Sequence, residues 1–122
     1  MTKIQNNKPV FDLEERTFQF AKAVRLFVKT LPKTITNIED AKQIVKASGS
    51  VGSNYREANE SLSKKDFLMR MKISRKEAKE SRLWLKLLEV TESSNIDEEH
   101  ENLIKEATEF IKIFTAIIKK SE

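Results

Sequence analysis

The sequence predicts an all-α protein, an antiparallel up-and-down four-helix bundle. Four stretches repeat apolar or small residues at alternating steps of three and four, which is the repeat of one helical face. The connections between them are short, and the 122 residues include only two glycines and two prolines. Charged residues make up 34% of the chain, a composition typical of long helices with one solvated face. No stretch shows strand-like alternation, so helices packed on helices are the expected architecture.

The composition of the chain limits the class of protein to which it can belong. The chain has no cysteine, which excludes disulfides, thiolate nucleophiles and cysteine metal sites. Residues 1–11 show neither a helical period nor the apolar segment of a secretory signal, so we expect a flexible lead-in before a single domain at 11–121. No later stretch approaches the roughly twenty apolar residues of a membrane span. We therefore expect a cytoplasmic protein without membrane contact.

The first helix is predicted at 12–31. Asp12 and Glu15 form a capping box at its start, and Pro32 ends it by disfavouring helical geometry in the preceding residue. Its predicted buried face comprises Leu13, Thr17, Ala21, Val24, Val28 and Leu31, widened by Phe18, Phe20 and Phe27.

The second helix, predicted at 37–61 behind a capping box of Thr36 and Glu39, passes through the small-residue segment 48–54. Composition alone would make this segment a loop, because glycine, serine and asparagine favour turns. One helical stripe nevertheless continues through it without losing register: Ile44, Ser48, Val51, Tyr55, Ala58 and Leu62. We predict a continuous helix whose middle turn lacks large side chains so that another backbone can approach closely.

The third and fourth helices are predicted at 64–92 and 97–120. Ser63 and Asp66 form the capping box of the third helix, and Asn95 or Asp97 caps the fourth. The third helix has the longest strict repeat, namely Phe67, Met71, Ser74, Ala78, Ser81, Leu85 and Leu88. The predicted buried face of the fourth helix is Leu103, Ala107, Phe110, Phe114 and Ile117.

One flank of the third helix is strongly basic. Residues 63–92 contain nine basic and five acidic side chains, a net charge of +4, whereas residues 93–122 contain four and seven, a net charge of −3. A long row of cations can follow a phosphate backbone, although lysine-rich helices commonly have an ordinary solvated face of this kind. The candidate nucleic-acid-binding residues are Lys72, Arg75, Lys76, Lys79, Arg82 and Lys86.

A second sector of the same helix contains the only tryptophan and lies a quarter turn or more from the core stripe. Apolar strips outside a core favour contact with a partner, and flanking carboxylates can orient that contact. The alternative is that the bundle itself covers the tryptophan. The candidate self-association residues are Ile73, Glu77, Glu80, Trp84 and Leu87.

Catalytic and metal chemistry is poorly supported. His100 is the single histidine and is expected at the surface, so we predict no metal site and no cofactor. The glycine segment matches neither a phosphate loop nor a dinucleotide fingerprint. Glu77 and Glu80 are adjacent on one face, but such carboxylates among lysines usually form ion pairs. Asn54 is expected to hydrogen bond across the bundle, to Ser74, Ser81 or the facing backbone, because it borders the core stripe.

Several blocks of the sequence carry a family resemblance: GSVGSNYREAN at 49–59, SKKDF at 63–67, KEAKES at 76–81, and Leu31-Pro32. With these blocks the chain resembles the four-helix-bundle proteins encoded inside intervening sequences of bacterial 23S ribosomal RNA genes. The resemblance implies a bundle that assembles into a ring, usually a pentamer, with no established enzymatic activity. Asn54 and Glu57 match a recurrent motif of that family and are predicted as buried polar or motif residues. Arg56 adds a charge within that motif.

A more distant relative with the same ring is the accessory protein of diversity-generating retroelements, which associates with reverse transcriptase and nucleic acid through a positive surface. The first hypothesis is therefore a non-catalytic homo-oligomer that binds RNA or DNA through the third helix, without base specificity. The second is a protein-interaction scaffold whose lysines serve only solubility. An enzyme using Asn54, Glu57 or Glu77 is a remote third.

Overall fold

A computed structural model describes residues 12–122 and contains four α-helices and no β-strand within that range. The helices are α1 (Leu13–Val28), α2 (Ile35–Asn59), α3 (Lys64–Leu87) and α4 (Ser94–Ser121). Each helix packs against the next, and α1 also contacts α4, so the four form the predicted bundle. The lead-in predicted at 1–11 lies outside the described residues. Over residues 12–122, no helix is both long enough and apolar enough to cross a membrane.

The bundle core is a column of apolar side chains contributed by all four helices. The largest fully buried hydrophobic side chains are those of Phe110, Phe114, Ile44, Met71, Leu85, Val24 and Val51. Phe20 meets Phe110 edge-on with ring centroids 5.4 Å apart, and Tyr55 stacks on Phe114 at 5.9 Å. These contacts connect α1 and α2 to α4 through the interior. The predicted buried faces are confirmed as buried or half-buried, with two exceptions.

The two exceptions are Phe18 and Leu62, whose side chains are 48% and 99% exposed. Leu62 follows the end of α2, so the helical repeat that predicted its burial no longer applies. Phe18 is one residue, or about 100°, from the buried Thr17, and this rotation turns its ring towards the outside of α1.

The small-residue segment of α2 is helical throughout, which confirms the predicted continuous helix. Gly52 is buried against α1, where an added Cβ would lie 2.8 Å from Oγ1 and 3.2 Å from Cβ of Thr17. Such distances are too short for a side chain, so glycine is required for the observed approach of the two helices. At Gly49 the nearest atom to an added Cβ is Nη2 of Arg25, at 3.4 Å. The close contact therefore depends on Gly52.

Three fully buried serines lie among the helix contacts of α2 and α3. The hydroxyl of Ser74 donates to the Val51 carbonyl oxygen at 2.6 Å, and that of Ser48 donates within its own helix. The hydroxyl of Ser81 has no hydrogen-bond partner among residues 12–122. Small side chains allow close packing here, but Ser81 leaves one polar group buried without compensation.

We expect Ser81→Ala to raise the free energy of unfolding by about 1 kcal/mol, because burying an unpaired hydroxyl is costly. Ser74→Ala is the matched control, since it has the same change in volume and helix propensity but loses a hydrogen bond; we expect a fall of about 1 kcal/mol. Urea unfolding of both variants measures the difference. Equal effects at the two serines would contradict this account.

The helix ends differ from several predicted boundaries. Asp12 and Ser63 cap α1 and α3 as predicted, and each accepts a hydrogen bond from the backbone N–H three residues later. The cap of α2 is Thr34 rather than Thr36, because the Thr34 hydroxyl accepts from the Asn37 N–H at 3.1 Å. The cap of α4 is Ser93, so neither Asn95 nor Asp97 caps it. In the linkers before α2 and α4, a threonine or serine lies earlier than the predicted cap, and both helices begin at that earlier residue.

Two C-terminal boundaries were predicted too late. α1 ends at Val28 and α3 ends at Leu87, not at residues 31 and 92. Leu88 is in an extended conformation with ψ of 139°, which stops the helix while keeping its side chain in the core. In both helices the apolar repeat used to predict the boundary extends beyond the last helical residue.

Asn37 is a buried polar residue that the sequence analysis did not identify. Its amide nitrogen donates to the Pro32 and Glu89 carbonyl oxygens at 3.0 and 2.8 Å, and its amide oxygen accepts from the Glu89 N–H at 2.9 Å. These bonds connect the α1–α2 linker to the segment after α3. They satisfy three backbone groups in the two linkers, where no helix supplies a partner.

Candidate nucleic-acid interface

The predicted basic row lies on the side of α3 that borders α4 and solvent. Its exposed members are Lys72, Lys76, Lys79 and Lys86, and its half-buried members are Arg75 and Arg82. With a rise of about 1.5 Å per residue, the row spans about 21 Å of the helix. Lys72, Lys76 and Lys79 are three or four residues apart, and Arg82 lies between Lys79 and Lys86 at the same spacing, so successive members are neighbours on the helix surface. The row is therefore continuous along most of α3.

The two arginines connect this row to α4. Arg75 donates to the hydroxyl of Thr115 and Arg82 to that of Thr108, each at 3.3 Å. Each guanidinium has five N–H donors, so most donors remain available after this bond. The threonines thus fix the position of two cations at the edge of the row.

Carboxylates hardly neutralise the row within the described part of the chain. The one ion pair found there joins Nζ of Lys72 to Oε2 of Glu122, at 4.0 Å between exposed groups. A shallow depression of about 400 Å³ opens among these side chains, and it is lined by Lys72, Arg75, Lys76, Lys79, Glu80 and Leu83. The lining is dominated by cations, which suits an anionic ligand.

Large apolar side chains are exposed on the same surface. Met69, Leu83 and Leu87 are 47%, 50% and 51% exposed, and Leu83 lies within the basic depression. The sequence analysis considered only Leu87 among them. Met69 and Leu83 were missed because neither belongs to the core repeat nor to the sector around the tryptophan.

The sector around the tryptophan turns partly towards α2. Ile73, Glu77, Glu80 and Trp84 are half-buried, and the indole packs against the core. Leu87 is the one exposed member of the sector. The bundle thus covers part of this surface, and its role in self-association stays a prediction.

Glu77 is in an unfavourable environment for a carboxylate. Burial raises its pKa, and the negative charge of Glu80 raises it further, while Lys76 and Lys46 act in the opposite direction. The ionised form therefore costs folding free energy at neutral pH.

We expect Glu77→Gln to stabilise the protein slightly at pH 7 and to have no such effect near pH 4. The folded-state pKa lies above that of the unfolded chain, about 4.3, so stability linked to this carboxyl is present below 4.3. That stability is lost as the pH rises through the folded-state pKa. Urea unfolding at both pH values measures the difference. A gain that is the same at both pH values would contradict the assignment.

Asn54 does not make the predicted bonds to Ser74 or Ser81. Its amide donates to the Ser50 carbonyl oxygen at 3.0 Å, and its Oδ1 accepts from Nη1 of Arg70 at 3.2 Å. Ser74 instead bonds the α2 backbone. Asn54 is half-buried and contacts α3 through a charged side chain, so the link across the bundle exists with a different partner.

Glu57 is exposed, so its predicted burial is wrong. It lies three residues, or about 300° in rotation, beyond Asn54 and just before the end of α2, where its side chain points to solvent. It borders a polar depression of about 220 Å³ together with Asp66 and Arg70.

His100 was expected at the surface and is half-buried instead. Its Nε2 lies 2.6 Å from the Leu85 carbonyl oxygen, and its ring stacks on Phe27 with centroids 5.6 Å apart. It thereby joins α4 to α1 and to a carbonyl near the end of α3. Among residues 12–122, no three histidine or acidic side chains are grouped to hold a metal ion.

These features define a four-helix bundle with a basic, partly apolar surface on its third helix. The chain belongs to the family of the 23S rRNA-intervening sequence protein, whose family model matches residues 11–116. It is similar in structure to a protein of unknown function from the S23 ribosomal protein family of Bacteroides thetaiotaomicron, with 30% sequence identity and a TM-score of 0.72. That match covers 87% of this chain and 97% of the other. No curated protein matches the chain.

Proposed function

We propose that this protein is a non-catalytic homo-oligomer that binds the phosphate backbone of RNA or DNA through the outward surface of α3. The observation that carries the proposal is the row of four exposed lysines along α3, which has a single long ion pair to a carboxylate in the part of the chain that the structure describes. Phosphate contacts of this kind give affinity without base specificity.

The arrangement of the row supports contact with a backbone rather than with bases. The arginines at its edge retain free N–H donors, which can bind phosphate oxygens. No aromatic ring lines the basic depression, and base stacking on single strands requires such rings. We therefore expect little preference among sequences.

Self-association would strengthen a surface that is weak in one copy. Each additional row that contacts the same nucleic acid binds at a high effective concentration, so the avidity can exceed the affinity of one row by orders of magnitude. Light scattering with size-exclusion chromatography tests this part of the proposal. A monomer at the concentrations used for binding would contradict it.

The binding test is fluorescence anisotropy with labelled RNA and duplex DNA at low and moderate salt. The test variant carries Lys72→Gln, Lys76→Gln, Lys79→Gln and Lys86→Gln. The control variant removes the same charge from exposed lysines on the α1–α2 side of the bundle, through Lys22→Gln, Lys29→Gln, Lys33→Gln and Lys46→Gln. We expect at least about tenfold weaker binding by the test variant and a smaller change in the control. No binding by the wild-type protein at low salt would end the proposal.

A second candidate function is that of a protein-interaction scaffold, favoured by the exposed Met69, Leu83 and Leu87 on the same surface. On this alternative the lysines serve solubility, and the glutamine variant would keep its protein partner. Loss of partner binding on Leu83→Ser, with nucleic-acid binding unchanged, would favour the scaffold.

A further inference from the structure

A groove runs along the outside of the α1–α2 pair, on a different side of the bundle from the basic row. Its larger depression has a volume of about 440 Å³. Phe18 and Ala21 of α1 and Gly49 and Gly52 of α2 contribute to its apolar lining. Because Gly49 has no side chain, the floor of the depression lies close to the α2 backbone at this position.

Three cations surround this depression: Lys22, Arg25 and Arg56. Arg56 is 3.2 Å from a carboxylate oxygen of Glu14. Lys22 lies over the Phe18 ring, and Arg25 donates to a carbonyl oxygen of its own helix. Neither forms an ion pair with a described carboxylate, so both can neutralise the charge of a ligand.

A second depression, of about 260 Å³, continues the groove towards the end of α1. Val28, Ile38 and Ala41 contribute to its apolar lining, and Lys33 and Lys42 are its cations. At about 100° per residue, its lining lies on the same flanks of α1 and α2 as that of the first depression. On α2 the two linings are centred about thirteen residues apart, which is about 20 Å and between three and four helical turns.

Among the described residues, five basic side chains and no carboxylate line the two depressions. Two of the five, Arg56 and Lys42, pair with Glu14 and Glu39 outside the lining, at 3.2 and 3.4 Å, which leaves Lys22, Arg25 and Lys33 for a ligand. An apolar groove with anchors between three and four turns apart fits one face of a docked α-helix, which places side chains at i, i+4, i+7 and i+11. The surrounding cations favour carboxylates beside those anchors. The complementary ligand is therefore acidic and amphipathic.

The chain itself offers no segment with both properties. Residues 1–11 contain two lysines and no acidic residue. The first turns of α4 are acidic, but no large apolar side chain of α4 is exposed. On α3, the exposed Leu83 lies among lysines. Charge and apolar surface thus favour an occupant from another protein.

We propose that the α1–α2 groove binds an acidic amphipathic α-helix of a partner protein, with apolar side chains in the two depressions and carboxylates against Lys22 and Arg25. This site is separate from the α3 surface, so it does not depend on nucleic-acid binding. It gives the bundle a second interaction surface of different chemistry.

The probe is a labelled synthetic helix of about 18 residues with leucines at i, i+4, i+7 and i+11 and glutamates at flanking positions. Its controls are a permuted peptide of the same composition and a peptide with glutamine at every glutamate. We expect the full-length protein to bind the probe at least about tenfold more tightly than either control in anisotropy titrations.

Two variants locate the binding. Lys22→Glu with Arg25→Glu reverses the charge, and Gly49→Leu adds a side chain at the floor of the larger depression, where its Cβ would have only Nη2 of Arg25 nearby, at 3.4 Å. We expect each to weaken probe binding at least about tenfold while thermal unfolding shows an intact fold. Lys105→Glu with Lys112→Glu is the matched charge control on α4 and should leave binding unchanged.

Several results would overturn the assignment. Equal binding of the probe and the permuted peptide would show that the ligand need not be an amphipathic helix. Unchanged affinity of the Gly49→Leu variant would show that the probe does not bind in the groove. Displacement of the probe by single-stranded RNA, lost on charge reversal at Lys22 and Arg25, would assign the groove to nucleic acid. Dissociation of a homo-oligomer by that same reversal would assign it to a second copy of the chain.

Discussion

Gly52→Leu is expected to lower the free energy of unfolding by about 2 kcal/mol and the melting temperature by about 8 °C. A Cβ at this position would lie 2.8 Å from Oγ1 of Thr17. That hydroxyl cannot move away easily, because it is fully buried and donates to the Leu13 carbonyl oxygen at 2.7 Å. Forcing α1 away from α2 costs up to about 3 kcal/mol, and the better helix propensity of leucine returns about 1 kcal/mol.

The control is Gly49→Ala, one turn earlier in the same helix, which adds a Cβ at a position without the close contact. Its added Cβ meets only the mobile end of the Arg25 side chain, at 3.4 Å. We expect a stabilisation of about 0.5 to 1 kcal/mol, because alanine restricts the unfolded chain and favours the helix. Chemical denaturation measures both variants. If Gly49→Ala lowered the free energy of unfolding as much as Gly52→Leu, the segment would need backbone flexibility rather than close approach of the helices.

Arg16→Met is expected to lower the free energy of unfolding by about 2 kcal/mol. Nε and Nη2 of Arg16 donate to the two carboxylate oxygens of Glu106 at 2.7 and 2.8 Å, and the guanidinium lies 5.3 Å from the centroid of the Phe110 ring. The hydrogen bond to Glu106 raises the pKa of Arg16 despite its burial. The side chains are only 24% and 29% exposed, so methionine would leave a poorly solvated carboxylate behind.

The location of this ion pair explains its importance. Among neighbouring helices, α1 and α4 pack least closely, and Arg16 spans the contact between them. Lys112→Met removes an exposed ion pair with Glu109 and serves as the control, with an expected change below about 0.5 kcal/mol. A double-mutant cycle with Glu106→Gln isolates the coupling between the two groups. A coupling as small as that of the exposed pair would contradict this account.

The sequence predicted the bundle because helical periodicity records which residues are buried. The stripe through Ser48 and Val51 correctly predicted a helix where composition favoured a loop. Helix ends were less predictable, because several serines and threonines near each linker could serve as caps. Leu88 shows a related difficulty, since an extended residue can keep its side chain in the core.

The functional surfaces were less accessible to sequence reasoning. The position of the basic row followed from its spacing on one helix, but its contacts with Thr108 and Thr115 required α4. The bond of His100 to the Leu85 carbonyl oxygen depends on where α3 ends. The α1–α2 groove combines residues that are distant in sequence, so no pattern in either helix predicted it. Glu57 was assigned from a motif that contains no information about burial.

The salt dependence of nucleic-acid binding tests the central proposal most directly. The logarithm of the association constant for duplex DNA should fall with the logarithm of salt concentration, by about 0.9 for each phosphate contact. We predict that the variant lacking Lys72, Lys76, Lys79 and Lys86 has a slope shallower by about 0.9 for each lysine that contacts phosphate, while the control variant keeps the wild-type slope. An unchanged slope in the α3 variant would show that phosphates bind elsewhere and would contradict the proposed interface.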